Sequence, residues 1–394
     1  MTRPSKGALV LDGNVVKQRL EAERIESNSM VHVDWLRFTA QLRNAPFPHV
    51  DLMFPKTSSI WDDDYRMNVI NRTLSEIPRE EFTASAQALE LAHRAASALG
   101  PDYAVNPERR KGHDFYRFRW SIEREGHECG WVGFLASSES PRQQAQARTL
   151  HVNLYGTACT FASAGWRDRM ADLVDEAQAD VTRCDLALDF FDGLSGGMQR
   201  VWTDYDSGLC NSGGKKLKMR DINWLKGSSR SIYLGSKEAG KETNIYEKGQ
   251  QLFGDDSAHP WIRAELRYGN KLRVLSSDML RRPADFFAGA SEWHATLLAE
   301  AGEVVVPEPV KCDAQLPLMT VEAEVYRVKR WFERVAAPAA SFLFRHMPDT
   351  DFLPLVSSGQ KPGRLERFSE SEAARAMQSV IQKFMGSESC PAPV

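Results

Sequence analysis

At 394 residues the chain is long enough for two or three domains, or for one large domain with extensions. Its 50 Lys and Arg against 53 Asp and Glu give a formal net charge of −3, which argues against a uniformly basic nucleic-acid binder and confines any such site to a local patch. Six scattered cysteines with no C-x-x-C pair leave no disulfide framework. With no apolar run near the roughly 20 residues that span a bilayer and no apolar leader core, the expectation is a soluble, cytoplasmic protein with reduced thiols.

Residues up to Met30 read as a flexible arm with one marginal helical stretch at 15–25. The first convincing strand is 31–39 (VHVDWLRFT), rich in β-branched and aromatic side chains. Pro46, Pro48 and Pro55 then break the chain into a loop. A helix is predicted over 83–99, with Thr83 to cap it and Gly100-Pro101 to stop it. Strands follow at 115–122 and 130–136, joined through Gly126, and at 148–155 (RTLHVNLY). An amphipathic helix at 165–179 places Trp166, Met170, Leu173, Val174 and Ala177 on one stripe.

Three short segments then carry the chemistry. In 183–190 (RCDLALDF) Arg183, Asp185 and Asp189 alternate with Cys184, Leu186, Leu188 and Phe190. In 243–248 Asn244, Tyr246 and Lys248 share a face, and in 261–268 Arg263, Glu265 and Arg267 oppose Ile262, Ala264 and Leu266. Period-two alternation marks a half-buried strand. Paired in one sheet, the three would gather carboxylates, a tyrosine, a lysine and arginines, a mixture suited to metal-assisted attack on a phosphodiester. A long link, 193–227, separates the first from a hairpin at 230–248; it carries the Gly-rich stretch 211–214 and the cations Lys215, Lys216, Lys218, Arg220 and Lys226. Helical stripes follow at 278–298 and 320–335, and then a loose tail. The architecture expected is α+β, an antiparallel sheet with helices packed on one face, followed by a helical C-terminal extension. The expected divisions are an arm at 1–30, a catalytic domain at 31–275, the extension at 276–345 and the tail at 346–394.

The succession RTLHVNLYGTA, helix, RCDLALDFFDG, basic Gly-rich link, SIYLGSKEAGKETNIYEKG and WIRAELRY resembles the replication initiation factor family. That family includes rolling-circle initiators of plasmids, relaxases of some conjugative elements and initiators of filamentous phages. The resemblance covers roughly 31–273, with a softer likeness to the phage branch beyond Asp278. It implies a rolling-circle initiator fold and an enzyme that nicks and rejoins one DNA strand at an origin. A tyrosine hydroxyl forms a 5′-phosphotyrosyl bond and releases a 3′-OH, with Mg²⁺ or Mn²⁺ polarising the phosphate. The implied partner is origin DNA, supercoiled duplex with a single strand at the nick; host helicase or polymerase and a second copy of the chain are further candidates.

The family's Tyr-x-Lys pattern falls on Tyr246 and Lys248. A phenol with a pKa near ~10 needs a base or a nearby cation, and Lys248 supplies one; the plainer reading of Tyr246 is a cross-strand packing aromatic. Tyr233 is the second candidate nucleophile. Asp185, Asp189 and Glu265 are the metal-ligand candidates, since a hard cation takes oxygen donors. The two aspartates stand roughly 13 Å apart on an ideal strand, so one of them is expected to join Glu265; their plainer reading is pairing with arginine. Arg263 and Arg267 are read as phosphate clamps. Lys215, Lys216, Lys218 and Arg220 are read as a DNA-backbone track, with Trp224 as a base-stacking platform. His151-Val152-Asn153 resembles a histidine–hydrophobe–histidine metal strand with Asn in the second place, and a hydrogen-bonded structural histidine is the plainer account. A rival from another class is a non-catalytic origin-binding replication regulator, and a third is a nuclease that uses water. A nicking assay with Tyr246→Phe separates the regulator from the enzyme, and a covalent adduct separates the tyrosine nuclease from one that uses water. Gly193-Leu194-Ser195-Gly196-Gly197 lacks the Lys-Ser/Thr ending of a phosphate loop, and no H-E-x-x-H motif is present.

Overall fold

The computed structural model describes residues 12–380, apart from 49–59, 77–78, 139, 141–142, 144–145, 213, 255–256, 303–305, 315–317, 358–359, 371, 375 and 378–379. Pro55, the first residues of the expected arm and the end of the tail therefore lie outside it. Among the described residues, eleven strands form one antiparallel sheet: β1 (Val31–Gln41), β2 (Tyr103–Val105), β3 (Arg110–Lys111), β4 (Tyr116–Arg124), β5 (His127–Ala136), β6 (Thr149–Leu154), β7 (Asp180–Phe190), β8 (Met219–Ile222), β9 (Ser231–Ser236), β10 (Lys241–Tyr246) and β11 (Ile262–Gly269). Their order is β2-β4-β5-β6-β1-β7-β11-β10-β9-β8, with β3 beside β4. The three charged segments of the sequence are thus adjacent, as β7, β11 and β10.

Alternation decides the two faces. Leu36 and Phe38 on β1, Leu186 and Leu188 on β7, Ala264 and Leu266 on β11, and Ile245 on β10 are buried. They join one core with Leu91, Ala95 and Leu99 of the Arg79–Leu99 helix, Met170 and Val174 of Trp166–Glu176, and Phe287, Trp293 and Leu297 further on. The opposite face carries the polar residues of the same strands. One end of it is closed by a smaller apolar cluster of Val16, Leu20, Phe191 and Trp261, against which Phe161, Leu252 and Phe253 pack.

Several elements differ from the sequence reading. The 193–227 link contains the helix Gly197–Asp206, with Met198 and Val201 buried, and the edge strand β8. A helix also runs over Asp63–Glu76. The expected 278–298 helix is three short ones, Asp278–Arg281, Pro283–Ala288 and Glu292–Glu300. Pro283 lacks an N–H and drives Arg282 out of helical geometry (φ −128°, ψ 58°). The second break is at Gly289, where an added Cβ would lie 1.9 Å from the Val310 carbonyl oxygen.

Contacts divide the chain into two units, 1–314 and 315–394, where the sequence reading drew its later boundaries at 275 and 345. In the first, the helix Gly13–Ser27 buries Val16 and Leu20, so the described part of the expected arm is packed. In the second, Val321 and Val325 share a core with Leu365, Phe368, Ala376 and Val380, so the described part of the expected tail is packed too. No described helix is long and apolar enough to cross a membrane.

Candidate active site

The register of β7, β11 and β10 fixes which side chains meet. Asp189 lies opposite Arg263, Asp185 opposite Arg267, and Glu265 opposite Ala187. On the other side of β11, Arg263 faces Tyr246, Glu265 faces Asn244 and Arg267 faces Glu242. Each aspartate is therefore handed to an arginine, and Glu265 is left between them.

Arg263 is 1% exposed. Its Nε and Nη2 donate to the two oxygens of Asp189 at 2.7 and 2.9 Å, and its Nη1 donates to Asp34 Oδ1 at 2.6 Å. Trp261 Nε1 donates a further hydrogen bond to Asp189, at 2.6 Å. Burial alone would raise Asp189, but the charges of Arg263 and His32 outweigh it and hold the carboxyl near 2. This corrects two expectations. Arg263 is a buried cation between two carboxylates and not a phosphate clamp, and Asp189 has no oxygen left for a metal. Asp185, also 1% exposed, is held by Arg183 at 2.9 Å and by Arg267 at 3.3 Å; the arginine pairing prevails there as well. Arg267 retains partial exposure and also donates to Glu265 Oε1 at 3.0 Å.

Asp34 was not singled out by the sequence reading. It enters through a bulge in β1: Val33 pairs with Leu186 and Trp35 with Asp185, so two residues of β1 span one step of β7. On a regular strand Asp34 and Trp35 would point to opposite faces. The bulge turns both onto the polar face, where they line one cavity of about 400 Å³ with Tyr155, Thr157, Thr160, Lys248 and Arg263. A slip in the apolar alternation, from Val31 and Val33 to Leu36 and Phe38, was the signal in the sequence.

Tyr246 ends β10 on this face. Its hydroxyl donates to Glu265 Oε2 at 3.4 Å, and Lys248 Nζ stands 5.7 Å from its ring centre. Burial pushes the phenol well above its ordinary range, against the opposing pull of Arg263. Burial lowers Lys248 to about 8, with the charge of Arg263 adding to the effect. Glu265 is raised to about 7 by burial and by the charges of Asp34 and Asp185. Tyr246, Lys248, Glu265 and Asp34 thus form one electrostatic cluster above Arg263.

The donors fit a divalent cation at Glu265. Burial and the charges of Asp34 and Asp185 raise its pKa despite the opposing pull of Arg267 and Arg263, and the Oδ1 of Asn244, opposite it in register, is buried with no hydrogen-bond partner among the described residues. Asp34 supplies a second carboxylate. Together these are two carboxylates and an amide oxygen, the donor type a hard cation takes. Among the described residues no group of three or more His, Cys, Asp and Glu is arranged to hold a metal.

The remaining candidates lie apart. Lys215, Lys216 and Lys218 are exposed, and Arg220 is bound to Glu242 at 2.7 Å and sits 5.0 Å over the Tyr233 ring. Trp224 is half-buried, packed edge-on to Trp202 at 5.4 Å with Arg230 5.5 Å from its ring centre. His151 bonds Thr39 at 2.9 Å, stacks on Tyr116 and is lowered by burial to about 3, while Asn153 accepts from Trp35 and Arg37. The structural account of that pair holds.

No curated protein matches the chain. A solved structure titled as that of the rolling circle replication initiator protein from Geobacillus stearothermophilus aligns over 71% of this chain and 99% of its own, with 14% sequence identity and a TM-score of 0.41. At that score the likeness supports no further argument. Through residues 179–354, which hold Asp185, Tyr246, Lys248 and Glu265, the chain matches the replication initiation factor family.

Proposed function

We propose that the protein nicks and rejoins one strand of DNA at an origin of replication, with Tyr246 as the nucleophile. The observation that carries this reading is the hydrogen bond from the Tyr246 hydroxyl to Glu265 beside Lys248, on the polar face of the sheet. Tyr246 Oη attacks phosphorus and its proton passes through Glu265 Oε2 to water. The bond from phosphorus to O3′ breaks, and the leaving oxygen takes a proton from the Lys248 ammonium. The products are a 5′-phosphotyrosyl end and a free 3′-OH, and the reverse sequence reseals the strand. Arg263 positions Asp34 and holds positive charge beneath the site without touching substrate. A divalent ion held by Glu265, Asp34 and Asn244 would polarise the scissile phosphate. Arg267 and the exposed Lys215, Lys216 and Lys218 supply the local basic charge that the overall composition lacks.

The test is incubation with supercoiled plasmid carrying the element's own origin, plus Mg²⁺ or Mn²⁺. Nicked product that keeps a protein-bound 5′ end supports the reading. Nicking without any adduct would indicate attack by water, and binding without nicking would indicate a regulator.

A further inference from the structure

The cavity that Lys248, Asp34 and Arg263 line has a wall that the nicking chemistry does not use. Trp35 and Tyr155 stand with ring centres 5.1 Å apart, tilted by 48°, and both are half-buried. Their polar ends are tied down: Trp35 Nε1 donates to Asn153 Oδ1 at 2.8 Å and Tyr155 Oη to Glu128 at 3.4 Å. Arg183 and Arg37 lie over the Trp35 ring at 4.7 and 5.8 Å. A rigid aromatic pair held by its polar atoms, with Thr157 and Thr160 hydroxyls beside it, lines about 400 Å³ of space, within the range of small-molecule sites of roughly 300–1,000 Å³. Lys248 and Arg263 also line it, so whatever enters meets the cation that the proposed nicking step uses.

We infer that this cavity receives one unpaired nucleobase adjoining the scissile phosphate, stacked against Trp35 and Tyr155. The inference rests on the nicking site proposed above and adds a substrate contact to it. Three features favour a base over a sugar or a free anion. The aromatic rings offer stacking surface, which every base accepts. The two threonines offer hydroxyls that donate or accept, as base edges require. Asp34 at the cavity wall disfavours a loose anion. An unpaired base next to the cleaved bond also explains why the bulge of β1 brings Trp35 as well as Asp34 onto this face: a base held in place fixes its phosphate in front of Tyr246.

The experiment uses Tyr246→Phe protein, which removes nicking, and three fluorescent twelve-nucleotide probes: oligothymidylate, oligoadenylate and an abasic strand of equal phosphate count. Base-bearing probes are expected to bind about tenfold more tightly than the abasic one, as stacking on one aromatic wall allows. Trp35→Leu should abolish that preference and leave abasic binding unchanged. Trp35→Phe, which loses the same bond to Asn153 but keeps a ring, should retain it. A 5-iodouracil probe should cross-link at Trp35 or Tyr155. Equal affinity for base-bearing and abasic strands, a preference that survives Trp35→Leu, or cross-links only elsewhere would overturn the inference. A base preference without a Tyr246 adduct in the unmutated protein would sink the nicking reading alone, and an adduct without base preference would sink the pocket alone.

Discussion

Arg263 joins two carboxylates in a place water barely reaches. Removing one member of such a buried set leaves uncompensated charge, at a cost of about 3–5 kcal/mol. Arg263→Met is therefore expected to lower unfolding free energy by about that amount in urea titration, whereas Arg267→Met, on a partly exposed side chain, should cost about 1–2 kcal/mol. If Arg263 served only to grip phosphate, its variant would keep full stability and lose DNA affinity instead. Alternation of charge along β11 was enough to place Arg263, Glu265 and Arg267 on one face with Tyr246. It could not say that Asp189 meets Arg263 and Asp185 meets Arg267, because that depends on which strands pair and in what register. The carboxylate that remained, Asp34, sits in a bulge, where the period-two rule fails for one step.

The helix Glu292–Glu300 is pinned to β10 by a buried histidine. His294 Nε2 lies 2.9 Å from Thr243 Oγ1 and Nδ1 lies 2.7 Å from Ser291 Oγ. Burial, and secondarily the charge of Lys241, lowers its pKa from 6.5 to about 3. The unfolded chain therefore binds one more proton than the folded one between those values. The stability His294 contributes is present above pH 6.5 and lost as pH falls towards 3, at up to about 1.4 kcal/mol per pH unit. His294→Gln has nothing to titrate there, so the stability gap between wild type and variant should shrink on acidification; a gap constant from pH 7 to 4 would contradict the assignment. Most elements were legible from pattern, the strands around Tyr246 best of all. The helix Gly197–Asp206 was not. Its stripe of Met198, Val201, Trp202 and Tyr205 has helical spacing, but Gly193, Gly196 and Gly197 before it and the glycines at 208, 213 and 214 after it read as loop.

At the scale of the molecule, the two units have separate cores. The second is small, and small cores are marginal. Calorimetry is expected to resolve two transitions, and a chain ending at Ala314 should keep only that of the larger unit, at an unchanged temperature; one cooperative transition lost as a whole on truncation would contradict this. The boundary was not legible because it is set by distant contacts: Leu365 and Phe368 join Val321 and Val325 across a long stretch of helix. The net charge of −3, by contrast, was legible at once, and Lys215, Lys216 and Lys218 are exposed together. Replacing those three by Ala should flatten the salt dependence of DNA binding, with log K against log salt losing up to about three units of slope.

The central claim is that Tyr246 becomes covalently joined to DNA. Mass spectrometry of protein incubated with its supercoiled origin plasmid and Mn²⁺, then digested with nuclease and protease, reads this directly. A nucleotide adduct on the Tyr246 peptide, absent in Tyr246→Phe, is the predicted result. An adduct on Tyr233, or nicked plasmid with both tyrosines unmodified, would contradict it.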